Sequence, residues 1–226
     1  MSAQTWHNDS VRSDLGARVW LLISAVLTVI IVALLASTLV AGRDAPIGGF
    51  GDENGKLGGD FTLTSADGPV SLSDYRGKVV VVYFGFLNCE EVCLNSMRVL
   101  QNSMLRLNAA EQDAVRIMLI SIDPARDTPE ALARFARSYH DNIIGLTGSQ
   151  RQIDQVSRLY GAHYKISDED RNDPSYFFRH SSRYYVVDQH GELIDAMRHS
   201  TTPNELTTRV RQLLSAPATA AVEADS

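Results

Sequence analysis

Cysteine is almost missing from this chain: Cys89 and Cys93 are the only two in 226 residues. A structural zinc site wants four protein ligands and finds too few convincing donors here. A haem-attachment Cys-x-x-Cys-His is absent, as is the Thr-x-x-Cys approach to a lone peroxidatic cysteine. Basic excess is missing too. The formal charge is −6, and residues 1–43 hold three arginines against two aspartates, so the remainder carries −7. That balance argues against nucleic acid and against docking on anionic lipid. It is compatible with a cationic metal or a basic partner, and equally with plain solubility. No repeat is visible.

One long apolar run is present. Residues 19–41 are 23 in a row without a charge, rich in Val, Leu, Ile and Ala. At about 1.5 Å per residue such a helix spans roughly 34 Å, enough for a hydrocarbon core. Signal-peptide cores are shorter, about 7–15 residues, and Leu39-Val40-Ala41 is a poor cleavage site. The expectation is an uncleaved single transmembrane helix preceded by a short cytoplasmic tail, residues 1–18. Arg12 and Arg18 before the run and Arg43 and Lys56 after it nearly balance, so charge fixes the orientation weakly. Residues 42–58 read as a Gly-rich linker, residues 59–215 as one domain with a real core, and residues 216–226 as a disordered tail.

Within the domain, Phe61–Leu63 and Val70–Leu72 flank Ala66-Asp67-Gly68-Pro69 as a small hairpin. Val79–Phe86 and Val115–Ile122 read as buried strands. Cys93–Asn108 reads as a helix with Val92, Met97, Leu100, Met104 and Leu107 on its apolar stripe, which makes both methionines core rather than ligands. Thr128 caps a helix opened by Pro129. Ile143–Leu146 is a connection or edge strand, and Gln150–Tyr160 a helix. Arg183–Val187 and Glu192–Ala196 form a hairpin, and Pro203–Leu214 a last helix. Phe84, Phe86, Tyr184 and Tyr185 read as half core and half surface. Strands alternating with helices, then a terminal hairpin and helix, describe an α/β domain of thioredoxin type.

The chemistry centres on the cysteines. They follow a buried strand and open a helix, where unpaired N–H groups and the helix dipole favour thiolate over thiol. Residues four apart lie on one helix face, so both sulfurs can address one centre. Thiolate attacks disulfides, and as a soft ligand it selects Cu(I) or Zn. The pair alone fits metal ligands, a redox dithiol or a structural disulfide. A third donor is sought among the histidines. His180 stands out because it ends Tyr176–His180, just before the strand that opens the hairpin, although on placement alone an ordinary histidine is the simpler reading.

Three separated motifs carry a resemblance. Phe84-Gly85-Phe86 leading into Cys89-x-x-x-Cys93, then Ser121-Ile122-Asp123-Pro124-Ala125-Arg126-Asp127-Thr128-Pro129, then His180 before Val186-Val187-Asp188-Gln189-His190-Gly191, resemble the Sco/SenC copper chaperones. The likeness covers about residues 59–214. It implies a thioredoxin-like domain tethered to a single N-terminal transmembrane helix of the inner (cytoplasmic) membrane, facing the periplasm. It further implies that Cys89, Cys93 and His180 bind copper, as Cu(I) or Cu(II), for the dinuclear copper centre of cytochrome c oxidase subunit II or a similar recipient.

The immediate setting departs from the family. Glu90 and Leu94 stand where proline usually follows each cysteine, Arg179 where Asp is common, and Asn88 where Thr, Ser or His is usual. Glu90 and Glu91 add negative charge beside two thiolates, or are simply favourable first-turn acids, and Arg179 is expected to offset that charge. Asp123 and Asp127 either support the site from behind its ligands or anchor a loop before the Thr128 cap. The rival function is a membrane-anchored thiol–disulfide reductase, in which one thiolate attacks a partner disulfide and the other resolves it.

Overall fold

A computed structural model describes residues 51, 52, 54–89, 92–166, 178–180 and 182–216, with isolated positions 20, 24, 25, 27 and 28. The chain divides into two units, Met1–Gly48 and Gly49–Ser226. In the first unit the five described positions are helical. No helix among the described residues is long and apolar enough to cross a membrane. The expected anchor over 19–41 lies, but for those five positions, outside the described residues, and so do the N-terminal tail and residues 217–226.

The second unit is built on a five-stranded sheet. In chain order its elements are β1 (Thr62–Ser65), β2 (Gly68–Ser71), a 3-10 turn (Leu72–Tyr75), β3 (Val79–Gly85), α1 (Val92–Leu105), α2 (Ala109–Asp113), β4 (Val115–Ser121), α3 (Pro129–Arg137), β5 (Ile143–Leu146), α4 (Gln150–Leu159), β6 (Tyr164–Ile166), β7 (Phe178–His180), β8 (Arg183–Val187), β9 (Leu193–Arg198) and α5 (Pro203–Ser215). The sheet order is β5-β4-β3-β8-β9. β3 pairs in parallel with β4, and β4 with β5, while β8 and β9 run antiparallel to their neighbours. Parallel pairs need crossovers, and α1–α2 and α3 supply them.

Helices cover both faces. Val80, Val82 and Phe84 point with Met118 and Ile120 toward Ile153 and Val156 of α4. Val79, Val81 and Tyr83 point with Ile117 and Leu119 toward Met97 and Leu100 of α1, Leu132 of α3 and Leu206 of α5. Burial on two faces explains why β3 and β4 read as unbroken apolar runs rather than alternating ones. It also corrects the half-surface expectation: Phe84, Phe86, Tyr184 and Tyr185 are all buried.

Two helical expectations change. Val92 is exposed, and the buried stripe starts instead at Cys93 and continues through Met97, Leu100 and Met104. The helix stops at Leu105 because Asn108 caps a new one. The Asn108 side chain accepts from Glu111 N–H at 2.9 Å, and Glu111 accepts from Asn108 N–H at 2.8 Å, a reciprocal pair that fixes a helix start.

The glycine-rich stretch is tied down at its end. Gly51 N–H donates to Arg158 C=O at 3.0 Å and Gly58 N–H to Leu159 C=O at 2.8 Å, and the Tyr160 hydroxyl donates to Gly59 C=O at 3.1 Å. Gly58 has φ +86°, and a Cβ there would meet Leu193 Cβ at 2.4 Å. Only glycine meets both demands without strain.

Candidate metal and thiol site

The site grows out of the end of β3. Ile122 N–H donates to Gly85 C=O at 2.9 Å, holding the ends of β3 and β4 together. From there the chain turns through Phe86, Leu87 and Asn88 to Cys89, and α1 places Cys93 in its first turn. Both cysteines are reduced, with no disulfide between them; Cys89 is half-buried and Cys93 buried. Cys93 N–H donates to Cys89 Sγ at 3.4 Å. A helix-terminal amide thus points at the more accessible sulfur, as an anionic sulfur at a helix N-terminus requires.

The neighbouring Cys89 sulfur, and then burial, push the Cys93 thiol well above its ordinary value, while the Phe86 N–H and Tyr83 hydroxyl pull the other way. Cys89 is the more accessible of the two sulfurs, and Cys93 lies deeper.

Asp127 holds the loop in place. Its Oδ2 accepts from Leu87 N–H at 3.0 Å and from the Ser121 hydroxyl at 2.6 Å. The Ser121 Oγ in turn accepts from Asp123 N–H at 3.0 Å, and Asp123 forms an ion pair with Arg126. Burial pushes the Asp127 carboxyl above the usual range, against the pull of those two donors. Capping of α3 falls to Thr128, whose side chain accepts from Ala131 N–H at 3.2 Å. The two alternatives for Asp127 thus divide between neighbours: Thr128 caps, and Asp127 anchors the cysteine loop.

His180 lies on β7, a strand the sequence pattern did not suggest. Its backbone pairs with Tyr164 on β6, and Arg179 with Lys165. Tyr164 packs against the same core cluster as Cys89, and its hydroxyl is fixed by Gln150 at 2.6 Å and by Asp154. The side chains of Arg179 and His180, and residues Glu90 and Glu91, lie outside the described residues. Among the described residues no group of three or more His, Cys, Asp or Glu could hold a metal ion. The two sulfurs and the Cys93 amide are brought together, and no third donor stands with them among the described residues.

Sequence reasoning passed over Ser121, although it stands in the quoted Ser-Ile-Asp-Pro motif at a strand end. It also passed over Tyr83, which period-two patterning cannot tell from any core aromatic.

Comparison with known proteins agrees with this geometry. The SCO1/SenC family model matches residues 51–215. The SCO2-like protein of Rickettsia conorii is 34% identical over 156 residues, which are 69% of this chain and 76% of the relative. The structure of Bradyrhizobium japonicum ScoI with copper bound superposes with a TM-score of 0.63 at 27% identity, covering 70% of this chain and 99% of that one. BsSco, described with a disulfide switch and as a member of the Sco family of cytochrome c oxidase assembly proteins, superposes with a TM-score of 0.58 at 29% identity, covering 72% of this chain and 95% of that one. With a thioredoxin-like sheet, a reduced cysteine pair at the head of α1 and a family match over most of its length, this chain is a member of the SCO1/SenC family.

Proposed function

We propose that this chain is a membrane-anchored copper-binding protein that delivers copper to, or matures, the dinuclear copper centre of cytochrome c oxidase subunit II. The observation that carries it is the reduced Cys89–Cys93 pair, two soft donors, one just before α1 and one in its first turn, with the Cys93 amide directed at the accessible sulfur. Thiolates suit Cu(I), and an imidazole added to them also accommodates Cu(II). His180 is the third donor in this reading. Support comes from its placement: β7 pairs with Tyr164, which packs on the cluster that also holds Cys89. Residues 19–41 anchor the chain in the inner membrane, with the domain in the periplasm.

The pair also favours a second reading, a thiol–disulfide reductase. Cys89 sulfur attacks a partner disulfide, forming a mixed disulfide and releasing one partner thiolate. Cys93 sulfur then displaces the second partner thiolate and closes the Cys89–Cys93 disulfide. The partner gains two electrons and this chain loses two. The half-buried and buried positions of the sulfurs match those two roles.

His180 separates the readings. In the detergent-solubilised full-length chain, reduced and anaerobic, one tightly held copper is expected. Cys89→Ala, Cys93→Ala and His180→Ala should each weaken it, and a sulfur-to-Cu(II) charge-transfer band should follow oxidation. Copper binding indifferent to His180, with disulfide reduction intact, would transfer the assignment to the reductase.

A further inference from the structure

The strand that carries His180 stands apart from the main sheet. Among the described residues, β6 and β7 form a two-stranded ribbon of three residues each, hydrogen-bonded to neither of the other sheets. A lone two-stranded ribbon is marginally stable in water, so contacts outside it must fix where it sits. At one end the chain passes from His180 through Ser181 and Ser182 into β8. A link at one point leaves the direction of β7 undetermined.

The second point is Tyr164. In the register of the ribbon it stands directly opposite His180, and it packs on the core cluster that Cys89 also packs on. Its hydroxyl donates to Asp154 Oδ1 and accepts from Gln150 Nε2 at 2.6 Å. The Gln150 amide also donates to Asp154 Oδ1, at 3.1 Å, so the three side chains form a closed set. Gln150 and Asp154 are four apart in α4 and share a face. That helix is a firm base, because Ile153 and Val156 bury its adjoining face in the core. Phenylalanine at 164 would supply the packing equally well; the hydroxyl adds the attachment to α4.

We propose that Tyr164 is a positioning residue for His180: clamped to α4 by Asp154 and Gln150, it sets the strand pair that carries His180. The proposal rests on the reading of His180 as the third copper donor. A partner that fixes a metal ligand from behind contributes about tenfold or more in affinity. The sulfurs have a support of their own, since Asp127 holds Leu87 in the cysteine loop. Loss of the Tyr164 clamp therefore bears on the third donor and spares the thiol pair.

Tyr164→Phe and Tyr160→Phe in the detergent-solubilised full-length chain give the test. Tyr160 belongs to the same core cluster, but its hydroxyl donates to Gly59 C=O and not to α4. In metal-free, reduced protein, hydrogen exchange of the β6 and β7 amides should quicken about tenfold in Tyr164→Phe, the weight of a hydrogen bond to a charged acceptor. Tyr160→Phe should leave it at the parent rate. Asp154→Ala should match Tyr164→Phe, and Asp154→Asn, which keeps an acceptor oxygen, should recover most of the protection. Under competition with a Cu(I) chelator, Tyr164→Phe should bind copper about tenfold more weakly. Added to His180→Ala it should cause no further loss, because no donor is left to position. Unchanged exchange in Tyr164→Phe, or an equal loss of copper affinity with and without His180, overturns the proposal. Faster exchange in a chain whose copper binding ignores His180 supports the proposal and sinks the copper reading; copper that needs His180 but not Tyr164 does the reverse.

Discussion

Asp127 Oδ2 takes two hydrogen bonds on one oxygen, from Leu87 N–H and from the Ser121 hydroxyl, so it ties the cysteine loop to the end of β4. The carboxyl is buried and its pKa is raised, burial being the first cause. A carboxyl that holds its proton more tightly folded than unfolded favours the fold below the ordinary carboxylate range. That contribution is lost as pH rises through the raised value. At neutral pH the ionised group is therefore a net cost that its two donors only partly offset. Asparagine keeps one acceptor oxygen and removes the charge. Asp127→Asn should be at least as stable as the parent at pH 7, with its advantage shrinking as the pH falls through the carboxylate range. Asp127→Ala leaves the Leu87 N–H without its acceptor and should lose about 1–3 kcal/mol. Urea denaturation of both variants at pH 7 and pH 4.5 decides it: an Asn variant less stable than the parent at pH 7, or a gain that grows on acidification, would falsify the argument.

At the scale of elements, strong local signals were legible and tertiary ones were not. Thr128-Pro129 marked the start of α3 because a capping side chain and a ring with no N–H are both suited to that position. The apolar runs of β3 and β4 identified central strands. What failed depended on contacts distant in sequence. The three-residue strands β6 and β7 pair residues 164–166 with 178–180, too short for any periodicity to show. Burial of Tyr184 and Tyr185 on opposite faces of β8 needs the helices that cover both sides. Gly145 in β5 is a further case, silent in the sequence but tightly constrained in the fold. A Cβ there would stand 2.6 Å from Leu132 Cβ and 2.7 Å from the Leu132 backbone carbon of α3. Helix backbone cannot swing aside as a long side chain can. Gly145→Ala should cost about 1–3 kcal/mol through overpacking, seen as a lower denaturation midpoint with unchanged m-value. An unchanged midpoint would mean that α3 and β5 separate more easily than their packing suggests.

For the whole molecule, the candidate site was legible in the sequence as far as its sulfurs, because two cysteines alone in 226 residues leave no choice of pair. Its supports were not, because Asp127 reaches the loop across 40 residues of chain and Ser121 acts on it only through Asp127. The same economy ties function to stability. A ligand that binds the folded chain and not the unfolded one stabilises by RT ln(1 + [L]/Kd), about 2.7 kcal/mol at one hundred times Kd. For a domain of this size that is roughly 5–10 °C in Tm. The unfolded chain keeps two thiols four residues apart and retains some affinity for Cu(I), which lowers the gain. It does not keep a donor such as His180, 87 residues beyond Cys93, at bonding distance. The copper-induced rise in Tm should therefore shrink in His180→Ala more than local thiol affinity alone would predict. It should vanish when the Cys89–Cys93 pair has been oxidised beforehand, since a disulfide offers no thiolate. Calorimetry on the full-length chain with Cu(I), reduced and pre-oxidised, parent and His180→Ala, makes the comparison. A rise of equal size in the His180 variant would place the metal on the two sulfurs alone, and the chain's work would then be in thiol exchange rather than in a three-donor copper site.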